Sequence, residues 1–217
     1  MISGRQALER LREGNQRFVS EDAGPQALSS TSRRKELANG QNPFAIILGC
    51  SDSRVPAEII FDQGLGDLFV IRVAGNIVAP SQIGSVEFAV ERYDTKLVVV
   101  LGHSMCGAIQ ATLEELERPS GTRSPNLRSI VDRVRPSIEE LTLTDLRKQP
   151  DKLVHHAVRA NIRASAAHLR HGSQTIEHLI QRQGLVVVGA EYSLDSGLVD
   201  FFDEPAEWEG ESTSEFT

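Results

Sequence analysis

The chain has 217 residues, a hydrophobic content of 40% and a formal net charge of −7. This length suits one domain, or one domain with appendages, and allows a sizeable core. The composition excludes a disordered or fibrous chain. Because there is no basic excess to neutralise phosphates, the charge argues against a nucleic-acid partner.

The sequence also gives no sign of a membrane partner. No segment approaches the ~18 apolar residues that a spanning helix needs, and the N-terminal residues lack the apolar run of a signal peptide. We therefore expect a cytoplasmic protein, or a periplasmic one if a signal peptide has been removed. Two cysteines are too few for a disulfide framework, so each is interpreted individually.

The N-terminal region predicts a helical arm that precedes the core. Residues 3–18 carry apolar residues at roughly helical spacing among charged ones, which indicates an amphipathic helix. These residues are Ala7, Leu8, Leu11 and Phe18. The turn-forming stretch 24–43 then indicates a connection with at most one short helix. Residues 1–42 are accordingly predicted to form an N-terminal helical arm and connection.

Four continuous apolar runs follow, as is typical of buried parallel strands. They span residues 44–50, 67–76, 96–103 and 184–192. Helical patterns follow the second and third runs, so strand and helix alternate. We therefore predict an α/β fold over residues 43–203, with a mostly parallel central β-sheet flanked by helices.

The remaining segments carry weaker patterns. Residues 119–183 are mainly helical in pattern, with proline and glycine breaks that include Pro125, Pro136 and Pro150. Residues 204–217 form an acidic, aperiodic tail that is expected to fray.

Two short motifs each close a strand run and carry the candidate chemistry. Cys50 ends the first run in GCSDSRVP, and His103 and Cys106 end the third in GHSMCG. Because ligands bind at the carboxyl ends of strands in open α/β sheets, we expect these side chains to converge. Two thiolates and one imidazole favour zinc over magnesium or calcium, and a Cys2His set with one open position is typical of a catalytic site.

Three alternatives remain for these residues. A buried cysteine is often only a small hydrophobic residue. A disulfide between Cys50 and Cys106 would leave His103 and the polar residues after Cys50 unexplained. A structural zinc site could take Asp52 as its fourth protein ligand. The pairing of the two motifs favours the catalytic metal site.

CSDSRVP followed by GHSMCG resembles the paired signature of beta-class carbonic anhydrases. The resemblance continues in GNQRF near the start, in VAGN at 73–76 and in GAEYSLDSGLVDFF near the end, so it covers nearly the whole chain. It implies that Cys50, His103 and Cys106 are zinc ligands and that Asp52 and Arg54 form a catalytic dyad. It also implies a mostly parallel sheet with the active site near a dimer interface.

The chain departs from the family pattern at two positions. Ala108 replaces the second glycine of the common GHxxCGG, which would slightly reshape the loop beside Cys106. Ile47 stands where one branch has a tryptophan that helps to form a non-catalytic bicarbonate site, so that site is not expected here. Gln41 occupies the position of a substrate-contacting glutamine in the plant-like branch, and we assign the chain to that branch.

The predicted reaction is the zinc-dependent, reversible hydration of carbon dioxide to bicarbonate and a proton. Arg54 would keep Asp52 ionised and off the zinc, and Asp52 would orient a zinc-bound hydroxide toward carbon dioxide. In a closed state at low pH, Asp52 would instead bind the metal. Gln41 and the backbone N–H of Gly107 are predicted to bind the bicarbonate oxygens, and Val70 to line the apolar side of the pocket.

Two other functions fit the same motifs. An enzyme with the same fold could hydrolyse carbonyl sulfide or carbon disulfide, and a catalytically silent module could bind zinc or bicarbonate.

The helix at 3–18 has few apolar positions to cover a core alone, and the resemblance implies that it packs across to a second subunit. A homodimer, or a pair of dimers forming a tetramer, is therefore expected.

Overall fold

The computed structural model describes residues 2–22, 30–119, 124–205 and 208. Its centre is a sheet of five strands in the order β2-β1-β3-β4-β5. The strands are β1 (Ala45–Gly49), β2 (Leu68–Arg72), β3 (Leu97–His103), β4 (Val186–Tyr192) and β5 (Val199–Phe202). The first four are mutually parallel, and β5 is antiparallel to β4. The predicted α/β fold with a mostly parallel sheet is confirmed.

Eight α-helices surround this sheet in the described part of the chain. They are α1 (Gly4–Val19), α2 (Thr31–Leu37), α3 (Ala57–Ile60), α4 (Pro80–Tyr93), α5 (Gly107–Glu117), α6 (Pro125–Ile138), α7 (Pro150–His171) and α8 (Gln174–Gln183). Short 3-10 segments lie at Ala74–Asn76, Glu139–Leu143 and Asp145–Lys148. No helix within the described ranges is long and apolar enough to span a membrane.

The strand order places a topological switch point in the middle of the sheet. From β1 the chain moves to β2 on one side, and β3 then lies on the other side of β1. Gly49 pairs with Leu101, so the carboxyl ends of β1 and β3 lie side by side. This is the crevice in which open α/β proteins bind ligands.

Alternate residues of each strand fill two separate cores. Ile46 and Leu48 of β1 join α4, α5, α6, α7 and α8 on one face, whereas Ala45 and Ile47 join α1 and α3 on the other. This period of two is what the pleat of a strand imposes. Because both faces are covered, the strands appear in the sequence as unbroken apolar runs.

Helix α1 packs on the sheet of its own chain, which corrects the argument that it needs a second subunit to cover it. Ala7, Leu8 and Leu11 are each 0% exposed. Gly14 lets the helix approach closely, because a Cβ at that position would lie 1.9 Å from the carbonyl oxygen of Phe61. This short apolar stripe is enough to pack α1 on the sheet, because at Gly14 the helix backbone itself contacts the backbone of Phe61.

Two further differences concern segment ends. The run at 67–76 leaves the sheet after Arg72, and residues 73–76 turn sharply, with Gly75 at φ 69°. Pro125 and Pro150 each open a helix, as expected, but α6 continues through Pro136 to Ile138. Of the predicted tail, only 204, 205 and 208 lie within the described residues, and the division into arm, catalytic domain and tail stays a prediction.

Candidate active site

The predicted metal ligands converge at the switch point. One potential ligand atom from each of Cys50, His103 and Cys106 lies within 4.8 Å of the others. The two sulfurs are 4.0 Å apart and both thiols are free. A disulfide would bring them to ~2.05 Å, whereas two sulfurs on one tetrahedral zinc lie about 3.8 Å apart, given Zn–S bonds of about 2.3 Å. The spacing fits a shared metal ion.

Sheet and helix ends fix these three positions. Cys50 directly follows β1, His103 is the last residue of β3, and Cys106 is the residue that precedes α5. Met105 makes the turn between them in a left-handed conformation, with φ 55°. All three ligand residues are buried, with exposures of 5%, 0% and 1% in chain order. The ligands therefore rest on the rigid core of the fold.

The hydrogen bonding of His103 is what a metal ligand requires. Its Nδ1 lies 2.9 Å from the carbonyl oxygen of Ser104, so Nδ1 carries the proton and donates it. Its Nε2 is buried and has no hydrogen-bond partner in the described part of the chain. A ligating imidazole commonly fixes its tautomer in this way. This leaves the lone pair of Nε2 available to a metal ion, and the two thiols and one imidazole of the cluster fit zinc.

Asp52 and Arg54 form a two-pronged ion pair beside the three ligands. Nε of Arg54 donates to Oδ1 of Asp52 at 2.9 Å, and its terminal nitrogen donates to Oδ2 at 2.7 Å. This pairing holds the pKa of Asp52 well below its ordinary value of 3.8, with a smaller contribution from His103. Asp52 is therefore a carboxylate at neutral pH, and Arg54 occupies both of its oxygens.

The two cysteines titrate as a pair. A hydrogen bond from the Cys106 thiol is the main cause that lowers the pKa of Cys50, against the opposing effect of burial. The same contact, together with burial, raises the pKa of Cys106. The pair therefore loses its first proton readily, and a bound cation favours the loss of the second.

Backbone N–H groups support both sulfurs. Gly75 donates to Cys50 Sγ at 3.4 Å, and the N–H groups of Ala108 and Ile109, in the first turn of α5, act on Cys106. Such donors favour the thiolate form. The methyl group of Ala108 lies 3.0 Å from where a Cβ at Gly75 would stand, so the alanine noted in the sequence packs against this turn.

Arg72 is a site residue that the sequence interpretation missed. From the end of β2, its Nε donates to the carbonyl oxygen of Cys50 at 3.0 Å, and its terminal nitrogen donates to the carbonyl oxygen of Asp52. It thereby holds the backbone that carries a ligand and the carboxylate. The sequence offered only one signal for this role of Arg72: it lies one strand away from Cys50, at the same edge of the sheet.

Within one chain, the predicted substrate-binding residues do not all lie beside the predicted metal ligands. Gly107 is the exposed first residue of α5, next to Cys106. Val70 lies within β2, half-buried against the core on the α1 side, whereas both cysteines belong to the opposite core. Gln41 precedes β1 and donates to Tyr93 Oη at 2.9 Å. It lies at the amino end of the strands, one strand length, about 17 Å, from Cys50.

Comparisons with known proteins agree with this geometry. The carbonic anhydrase family model matches residues 45–199. "Carbonic anhydrase 2" of Mycobacterium tuberculosis is 42% identical over 195 residues, which are 88% of this chain and 89% of that protein. The beta-carbonic anhydrase CafA of Aspergillus fumigatus superposes with a TM-score of 0.71 at 28% identity, over 94% of this chain and 93% of that one.

A further solved structure comes from Sordaria macrospora and belongs to one of two tetrameric beta-carbonic anhydrases. It superposes with a TM-score of 0.67 at 29% identity, over 78% of this chain and 85% of that chain. Fold and site thus define an α/β protein in which two cysteines and one histidine could hold a metal ion at the switch point of the sheet. The chain belongs to the beta-class carbonic anhydrase family and is an enzyme of that class.

Proposed function

We propose that this chain catalyses the zinc-dependent, reversible reaction of carbon dioxide and water to bicarbonate and a proton. Cys50, His103 and Cys106 would hold the zinc ion. The observation that carries the proposal is Nε2 of His103, which is buried and has no hydrogen-bond partner among the described residues. His103 clusters with two sulfurs 4.0 Å apart, and its Nε2 lies 3.8 Å from the Asp52 carboxylate.

When bound, zinc supplies a Lewis acid that lowers the pKa of a water in its open position. Asp52 would accept a hydrogen bond from that water and so orient it. Arg54 holds both oxygens of Asp52, which keeps the carboxylate from taking the open position. Two thiolate ligands cancel most of the metal's charge, so the orienting carboxylate matters more than in an all-histidine site.

The backbone N–H of Gly107 is proposed to donate to a bicarbonate oxygen. It begins α5, and the unpaired N–H groups of a helix start attract anions. Val70 remains the proposed apolar lining residue. Val70 belongs to the core on the α1 side, and β2 is an edge strand. The proposed contact with substrate is therefore at the outer edge of β2.

Gln41 is proposed to act in the active site of a second subunit. In its own chain it lies at the amino end of the sheet, bonded to Tyr93, so it cannot reach its own metal ligands. An exposed aromatic surface lies next to it. Phe88 is 54% exposed and lies 6.2 Å from Phe69 and 6.1 Å from Tyr93, between ring centroids.

This aromatic surface, Phe69, Phe88 and Tyr93, is the proposed homodimer contact. Phe88 is exposed, and Phe69 and Tyr93 are half-buried beside it; an exposed aromatic side chain in such a patch commonly marks an interface. For Gln41 of the partner to act there, the two-fold contact would have to set the amino end of one sheet beside the carboxyl end of the other. Pairing of two dimers into a tetramer is the proposed alternative assembly.

A zinc measurement coupled to a stopped-flow hydration assay tests the proposal. We expect about one zinc ion per chain and rapid hydration of carbon dioxide. A fully zinc-loaded protein with no hydration activity would reject the proposal in favour of a silent zinc-binding module. Parallel assays with carbonyl sulfide and carbon disulfide would show whether a sulfur compound is the better substrate.

A further inference from the structure

A chain of two hydrogen bonds links helix α7 to the sulfur of Cys50. The side-chain amide of Asn161 is 2% exposed and donates to the carbonyl oxygen of Gly75 at 2.8 Å. The backbone N–H of Gly75 donates to Cys50 Sγ at 3.4 Å. Asn161 is 111 residues from Cys50 along the chain, and nothing in the sequence motifs connects them.

The turn at Gly75 and Asn76 needs support in its conformation. Gly75 lies at φ 69° and ψ 20°, and the next residue, Asn76, is also left-handed, with φ 43°. Left-handed conformations in residues other than glycine are costly and persist only where the surroundings hold them. Two contacts from neighbouring elements border this turn: the Asn161 amide on its carbonyl oxygen, and the Ala108 methyl where a side chain at 75 would stand.

We propose that Asn161 is a positioning residue for the metal centre, which holds Gly75 so that its N–H remains directed at Cys50 Sγ. The inference rests on the proposed zinc function of that sulfur. A hydrogen bond to a ligand sulfur withdraws negative charge from it, which stabilises the bound thiolate and lessens the charge that it gives to the metal. Asn161 therefore tunes how firmly the ion is held and how acidic it is.

The simpler interpretation is that Asn161 only satisfies a buried carbonyl group and so stabilises the packing of α7. Both interpretations expect Asn161→Leu to lower stability, because the substitution leaves the Gly75 carbonyl group without its partner. Only the positioning role expects a change at the metal itself. The measurements must therefore report on the ion and its sulfur ligands in folded protein.

The test compares the parent with Asn161→Leu, which removes the donor at similar size, and with Asn161→Ser, which keeps a polar group but shortens the side chain. Val158→Ala is the matched control. It removes buried methyl groups from the same helix, where Val158 is 2% exposed, and leaves the Asn161 amide in place. Zinc-loaded protein is mixed with excess chelating dye, and zinc release is timed.

We expect zinc release from both Asn161 variants to be about tenfold faster than from the parent, the typical effect of losing an outer-shell partner. Val158→Ala should stay within about twofold of the parent. In cobalt-substituted protein, the sulfur-to-metal charge-transfer band should move to longer wavelength in both Asn161 variants, because the Cys50 sulfur regains charge. Should Asn161→Leu fail to fold, Asn161→Ser decides the matter by the same two measurements.

Parent-like zinc release together with an unmoved cobalt band in a folded Asn161 variant would overturn the inference, while leaving the zinc function intact. Equal acceleration of zinc release in Val158→Ala would also overturn it, because general loosening of α7 would then be the cause. A parent protein that binds no zinc would instead reject the proposed function, so the two failures are distinguishable.

Discussion

Nε2 of His103 lies 3.8 Å from Oδ2 of Asp52, although Arg54 already holds both oxygens of that carboxylate. The aspartate is therefore close to the ligand cluster without belonging to it. In the proposed zinc site, Arg54 and the metal ion would therefore compete for one carboxylate.

The first prediction separates metal binding from chemistry. Cys50→Ser should lose zinc, since the site would keep only one thiolate and one imidazole as soft ligands. Asp52→Ala should retain zinc yet lose at least about a hundredfold in hydration rate, the usual size of a general acid–base contribution. Zinc content and stopped-flow rates measure both. Parent-like hydration by Asp52→Ala would show that the carboxylate has no part in the reaction.

The second prediction concerns closure of the site. In Arg54→Ala the backbone N–H of residue 54 still donates to Oδ1 of Asp52, but Oδ2 loses its guanidinium partner and is free to bind the metal. We therefore expect full zinc content, about tenfold or greater loss of activity and an additional oxygen ligand. X-ray absorption at the zinc edge would detect that ligand. Arg54→Lys is the matched control, because lysine keeps the positive charge but lacks the planar guanidinium that bonds both oxygens of Asp52 at once. An unchanged ligand set in an active Arg54→Ala variant would contradict this view.

The third prediction concerns Arg72. Arg72→Met keeps much of the side-chain length but removes the donors to the carbonyl groups of Cys50 and Asp52. We expect zinc to be retained and the turnover rate to fall about tenfold, as is typical when a supporting contact is lost. The control is Arg133→Met, because among the described residues Arg133 bonds within α6, to Ser129. Equal turnover rates in the two variants would show that Arg72 does not support the reaction.

The fourth prediction follows from the lowered pKa of Asp52. A depressed folded-state pKa adds stability above the unfolded value, and this stability is lost only as pH falls through the lower folded value. The free energy of unfolding of zinc-loaded parent should therefore exceed that of Asp52→Asn by the same amount at pH 8 and pH 6. Because Arg54 is largely exposed, that difference is expected to be small. Urea titrations at both pH values measure it, and a smaller difference at pH 6 would show that Asp52 gains protons there.

The fifth prediction addresses assembly. Phe88→Glu places a charge in the aromatic surface and should shift the protein toward a monomer in light scattering, with loss of activity because Gln41 of the partner is withdrawn. Leu143→Glu is the control, since Leu143 is 85% exposed and lies in a 3-10 segment elsewhere. A fully active monomer of Phe88→Glu would show that each chain carries a complete site.

The sequence was most informative where chemistry and strand pattern coincide. Apolar runs predicted β1 to β4, and the ligand types predicted a zinc site at the ends of β1 and β3. Strand β5 was missed because it is short and lies within a segment interpreted as part of the family motif. Arg72 and Asn161 could not be predicted, because each acts through backbone groups of residues distant in sequence. The misjudged packing of α1 has a similar cause, since apolar content does not reveal the close backbone approach at Gly14.

Asn15, the neighbour of Gly14, is buried and uses its whole amide group. It donates to the carbonyl oxygens of Ile60 and Gly197, and it accepts from the N–H of Val199. Each residue added to a helix rotates all later positions by about 100°. One insertion or deletion between Leu8 and Asn15 would therefore turn the amide away from all three partners, so related sequences should vary freely in the outward residues of this helix while preserving its length over that interval.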